Sequence, residues 1–196
     1  MTKGRLEAFS DGVIAILITI MVLELKVPHG ADLAALRPLV PTGLTYLLSY
    51  VFVGIYWSNH HHMLHAADHV DGAVLWANLH LLFWLSLVPF ATGWMGENHL
   101  APVPTAGYGV VLLFCAVSYT VLQQTLIARQ GPHSRLREAV RHDGKGKASL
   151  AMYAAAVPLA FVASWASVAI YVAVALMWLV PDRRIERAIT GAEHRS

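Results

Sequence analysis

The stretch Arg5-Leu-Glu-Ala-Phe9-Ser10-Asp11-Gly12-Val-Ile-Ala-Ile16-Leu-Ile-Thr19-Ile20-Met-Val-Leu23-Glu24 decides how the rest of the chain is read. Its charges gather at one end, and a long apolar run follows with one hydroxyl, Thr19, in its middle. Leu6 to Leu25 is 20 residues. A helix of that length is about 30 Å long, the thickness of a bilayer core. At about 100° per residue, Gly12, Ile16, Thr19, Ile20 and Leu23 fall on one stripe of small and branched side chains. Glu7, Ser10 and Asp11 lie away from that stripe. Two faces of such different chemistry imply two different neighbours.

Composition agrees with a membrane environment. Of 196 residues, 57% are hydrophobic and 13% charged, and the mean hydropathy is +0.53. Soluble domains carry about 25% charged residues. The expectation is therefore one all-α integral membrane domain over residues 1–196, with the lipid bilayer as its first partner. A formal charge of +2 is too small to argue for nucleic acid. The lone Cys115 rules out a disulfide framework. The N-terminal run does not read as a cleavable signal peptide, because it lacks a small-residue cleavage site and Asp11 interrupts it.

Apolar runs fall roughly at 6–25, 39–64, 73–95, 105–128, 148–163 and 165–181. The last two come from one apolar stretch too long for a single span, divided near Ser164-Trp165. Six spans place Lys3 and Arg5, the basic residues between Arg129 and Lys147, and Arg183, Arg184, Arg187 and Arg195 on one face. That is 12 of the 14 Lys and Arg residues, with only Lys26 and Arg37 opposite. Positively charged loops stay cytoplasmic, which puts both termini inside. The segment 129–147 reads as a basic surface loop near anionic lipid.

Asp11 carries the sharpest chemical signal. A carboxylate in a spanning helix is costly unless it is paired or lines a watery path. Partners at its depth are expected from Trp57-Ser-Asn59-His60-His61-His62 and Trp76-Ala-Asn78-Leu-His80. His60 and His80 are expected to bond with Asp11, Ser10 or Asn78. His61, His65 and His69 follow at four-residue intervals, a spacing able to chelate a divalent metal, with Asp68 and Asp71 as possible oxygen ligands. Histidines at a membrane exit also suit the interface without any metal, and no metal or cofactor is assigned. No catalytic triad order, P-loop, dinucleotide fingerprint or HExxH pattern occurs, so an enzyme is not expected. The aliphatic stripe admits two readings. In an isolated helix it favours lipid contact or ordinary packing, but with Thr19 at mid-membrane it also fits a pore lined by one helix from each subunit, where aliphatic rings gate by dewetting.

Arg5-x-x-x-Phe9-Ser10-Asp11 resembles the RxxxFSD signature on the first helix of the lysosomal potassium channel family and its prokaryotic homologues. Trp57-x-x-His60, Asn78 and Pro89-Phe90 continue a pattern similar to that family's second and third helices. The motifs cover residues 5–90, and the remaining spans match in number and hydropathy. The resemblance implies a tetramer of six-helix subunits with the first helix lining a central, potassium-preferring pore and no TVGYG filter. It implies a constriction and gate at Ile16, Ile20 and Leu23, with selectivity at Thr19. Arg5, Phe9, Ser10, Asp11, Trp57, His60 and Asn78 would then tie the first three spans together. On this reading Glu24 would draw cations to the outer mouth, and potassium would be the permeant ion across the plasma membrane. The alternative is a proton- or metal-coupled transporter using Asp11 and the histidines.

Overall fold

A computed structural model describes residues 2–67, 69–130 and 144–179. The basic residues Arg135, Arg137, Arg141, Arg183, Arg184, Arg187 and Arg195 lie outside them, as do Asp68 and most of the loop expected near anionic lipid. The described chain is all-helical. Helix α1 spans Lys3–Leu23, and a 3-10 segment at Leu33–Leu39 leads into α2, Val40–His65. Helices α3 and α4 span Gly72–Ser86 and Val88–Glu97. Helix α5 spans Pro102–Arg129, α6 Gly144–Leu159 and α7 Ser164–Leu179.

Among the described residues, four segments are long and apolar enough to cross a membrane: Lys3–Leu23, Leu33–His65, Gly72–Glu97 and Pro102–Arg129. Helices α6 and α7 have 16 residues each, so their described lengths fall short of the usual span of about 20. The long apolar stretch does divide in two, at Ala160–Ala163, just before Ser164.

Local chemistry explains the helix ends. Asp71 accepts a hydrogen bond from the Val74 amide at 3.0 Å and starts α3; Asp32 does the same for Ala35 before the 3-10 segment. Both act as N-caps. The third span breaks at Leu87 because Pro89 has no N–H to donate back to the preceding turn. From α4 the chain swings into α5 through His99 and Leu100, with φ of 50° and 61°. Left-handed residues of this kind cost about 1–2 kcal/mol each. The Leu100 amide bonding Met95 O at 3.0 Å offsets part of that.

Helix α1 packs against α2, α3 and α4, while α5 packs between α3 and α6, and α7 closes on α6. The buried α1 residues Leu6, Ile14, Leu17 and Met21 belong to one continuous core with Phe52, Val53, Leu81 and Leu85. Close helix approach needs glycine at two places. A Cβ at Gly96 would lie 2.8 Å from Thr42 Cα on α2. One at Gly109 would lie 2.9 Å from Tyr171 Cζ on α7.

Candidate pore face and its polar anchors

Helix α1 has the two expected faces. Leu6, Ser10, Ile14, Leu17 and Met21 are buried against the bundle. Phe9, Gly12, Ile16, Thr19, Ile20 and Leu23 are exposed, with Ile16 at 58%, Ile20 at 40% and Leu23 at 81%. The stripe thus has no cover within the subunit. Thr19 donates its hydroxyl hydrogen to Ile16 O at 2.8 Å.

Ser10 is fully buried and anchors the opposite face. Its hydroxyl donates to Leu6 O at 2.8 Å and accepts from Asn78 Nδ2 at 3.0 Å. Asn78 Oδ1 lies 2.7 Å from His60 Nε2. With the amide nitrogen directed to Ser10, Oδ1 is an acceptor, so the hydrogen of this bond sits on His60 Nε2. Ser10, Asn78 and His60 are each 1% exposed or less. One amide therefore joins α1, α2 and α3 where water cannot substitute for it. Such bonds are costly to leave unmade.

Asp11 stands apart from this chain. It is half-buried and accepts from Trp57 Nε1 at 3.0 Å. The single knot expected around Asp11 is thus two contacts side by side, with Ser10 rather than Asp11 in the buried one. Arg5 is exposed, its side chain makes no hydrogen bond or ion pair with another described residue, and Phe9 turns outward. Neither joins the network.

His80 departs from expectation. It is exposed and accepts from Trp84 Nε1 at 3.0 Å. Two residues beyond Asn78, it points about 200° around the helix, away from Ser10 and Asp11. The His61, His65 and His69 chelate does not assemble either. The His61 and His65 rings stack at 6.1 Å. No group of three His, Cys, Asp or Glu side chains among the described residues is placed to hold a metal. Asp71 is instead the α3 cap and pairs with Arg129 at 3.2 Å. The Val74 amide and then the Arg129 charge hold its carboxyl below the usual value of 3.8.

Other anchors carry no sequence signal. Lys3 Nζ donates to His65 O at 3.0 Å and Ala67 O at 2.9 Å, closing the end of α2 with a cation where helix carbonyls are unsatisfied. Helices α2, α4 and α5 are joined by Ser49, which lies 2.9 Å from Tyr108 Oη and 2.6 Å from Thr92 Oγ1. At the far end of α1, Lys26 pairs with Glu97 on α4.

Residues 5–89 match the family described as endosomal/lysosomal potassium channel TMEM175. The chain is 50% identical over 189 residues to a potassium channel of Chryseobacterium sp. (strain P1-3), covering 96% of this chain and 98% of that protein. It is 31% identical over 185 residues to the rat endosomal/lysosomal proton channel TMEM175, covering 84% of this chain and 36% of the rat protein. The crystal structure of a lysosomal potassium-selective channel TMEM175 homolog from Chamaesiphon minutus superposes with a TM-score of 0.81 at 28% identity, over 92% of this chain and 97% of that one. These relatives are ion channels, not enzymes, and the uncovered α1 stripe with its buried anchors is read in that light: this chain belongs to the TMEM175 channel family.

Proposed function

We propose that the chain is a potassium-permeable, potassium-preferring channel of the plasma membrane. Four copies form a ring, each with six spans, both termini cytoplasmic, and α1 facing the axis. The observation that carries this reading is the exposed stripe Gly12, Ile16, Thr19, Ile20 and Leu23 on a helix whose other face is wholly packed. Helices α2 and α3–α4 hold α1 between them, and both keep apolar side chains uncovered: Leu44 and Leu47 on α2, Trp76, Phe83 and Phe90 on α3 and α4. Two different apolar flanks suit a heterologous contact that closes into a ring.

In such a ring, Ile16, Ile20 and Leu23 form aliphatic layers at membrane depth. A narrow aliphatic ring expels water and blocks ions until it widens. Thr19 supplies the one layer of oxygens among them and thereby the potassium preference. The anchors Ser10–Asn78–His60 and Asp11–Trp57 set the tilt of α1; they do not touch the ion. The transporter alternative needs an intramembrane site at Asp11 and the histidines. Asp11 is engaged by Trp57, and among the described residues no group of three His, Cys, Asp or Glu side chains is placed to hold a metal.

The test is flux from liposomes holding purified protein, potassium against sodium, for wild type, Ile16→Asn and Thr19→Ala. A potassium-preferring flux, enlarged by Ile16→Asn and less selective in Thr19→Ala, is expected. A pH-sensitive dye in the same liposomes reads proton flux, the activity for which the rat relative is named. Folded, oligomeric protein without ion flux would refute the channel reading.

A further inference from the structure

The end of α1 carries a charge arrangement that the pore stripe does not explain. Glu24 is the residue directly after the helix, and its side chain is exposed. Its carboxylate lies against α4, with Oε2 3.7 Å from the position a Cβ on Gly93 would take. One turn further along the same face of α4 is Glu97, whose Oε1 holds Lys26 Nζ at 2.6 Å. Two carboxylates thus flank one ammonium, and the ammonium is bonded to the carboxylate further from α1. The Glu97 hydrogen bond and charge raise the proton affinity of Lys26, with a smaller contribution from Glu24. Lys26 therefore remains charged throughout the physiological range.

Lys26 is two residues from Glu24, and a lysine stem is long enough to reach it. An ammonium paired with Glu24 would cancel that charge, and the negative ends of the α1 carbonyls would be masked with it. We propose that Glu97 is a positioning residue for permeation: by holding Lys26 on α4, it keeps the ammonium out of a direct ion pair with Glu24, whose carboxylate concentrates cations at the outer mouth. This rests on the channel reading above and deepens it. The latch matters even though an exposed ion pair adds little stability. Its effect is on the local field, and four such mouths share one axis in the proposed ring.

The arrangement differs from a simple sum of charges, and a double-substitution cycle separates the two. If only total charge mattered, Glu97→Gln would lower conductance by the same factor whether or not Lys26 were present. With a latch, Glu97→Gln acts only through Lys26.

The experiment is single-channel recording in neutral bilayers of wild type, Glu24→Gln, Glu97→Gln, Lys26→Gln and Lys26→Gln/Glu97→Gln. Inward potassium current is read at about 0.01 M and about 1 M salt, where the Debye length is about 30 Å and 3 Å. Expected at low salt is a loss of roughly two-fold in both Glu24→Gln and Glu97→Gln. Lys26→Gln and the double variant should match each other and be no lower than wild type. All five should converge at high salt.

An equal loss from Glu97→Gln in both backgrounds would overturn the latch, as would no loss in either. So would a loss that persists at 1 M salt, since a structural role is not screened. Failure of the channel reading itself shows differently, as absence of current in wild type.

Discussion

Asn78 is the position at which this architecture is most exposed to a single change. Asn78→Ala removes both the 3.0 Å bond to Ser10 and the 2.7 Å bond to His60, leaving buried His60 Nε2 without a partner and Ser10 with one of its two. In water-soluble proteins each lost bond is worth about 1 kcal/mol, and each stranded group costs about 1–3 kcal/mol. In a bilayer, side-chain bonds between helices average about 0.6 kcal/mol with a maximum near 1.7, because unfolded helices find other partners. Ser10 has such a partner already in Leu6 O, on its own helix, whereas His60 Nε2 has only Asn78. The loss should therefore be dominated by His60 and total about 2 kcal/mol, roughly a 30-fold shift in the unfolding equilibrium. Ser10→Ala should cost less, about 1 kcal/mol. The assay is reversible unfolding in mixed micelles titrated with SDS, run on both single variants and the double. Because both remove the same Ser10–Asn78 bond, the double should be more stable than the sum of the singles by about 0.5–1 kcal/mol. Strictly additive losses would refute the claim that the amide links the two helices.

Three further outcomes are expected. Gly109→Ala should destabilise the fold by about 1–3 kcal/mol, because the new methyl meets Tyr171, a buried ring whose hydroxyl is bonded to Thr105 O at 3.1 Å; an unchanged unfolding midpoint would contradict the α5–α7 packing. Asp71→Asn keeps the cap acceptor but loses the charge facing Arg129. A depressed carboxylate contributes stability that is present above its unfolded value near 3.8 and lost as pH falls through its lower folded value. Wild type and Asp71→Asn should accordingly differ at pH 6 and converge below pH 3.8; a constant gap across that range would count against it. Trp57→Phe deletes the donor to Asp11 at a half-exposed site and should cost under about 1 kcal/mol while altering gating, which current recordings beside the unfolding assay would separate.

Much of the fold was legible because lipid imposes a coarse rule on sequence. Apolar runs near bilayer length give helices, and the limits of α1, α2 and α5 fall within a few residues of the hydropathy reading. The division of the third span at Leu87 left no mark in hydropathy, although Pro89 stands two residues beyond it. The 3-10 segment at Leu33–Leu39 left no periodic signal.

At the site, angular bookkeeping along α1 was sufficient to separate Ile16, Thr19, Ile20 and Leu23 from Ser10, since one helix obeys one period. Contacts between helices were legible where alternating topology brings polar residues to one depth, as for Ser10, Asn78 and His60. His80 lies outside the network because the helical period carries it to the other side of α3, although it is only two residues from Asn78. The Lys3 and Lys26 contacts lie 62 and 71 positions from their partners, and long flexible side chains leave no spacing to read.

The bond from Thr19 to Ile16 O has one more consequence. A hydroxyl has a single hydrogen, and here the backbone already holds it, so a neighbour of Thr19 meets only oxygen lone pairs. The other stripe residues, Gly12, Ile16, Ile20 and Leu23, have no polar side-chain atom, and their amide hydrogens turn inward along the helix. An anion crossing this face would have to shed its water with no donor to replace it, whereas a cation finds acceptors. In the proposed ring, discrimination by sign of charge is thereby available without any ionised group.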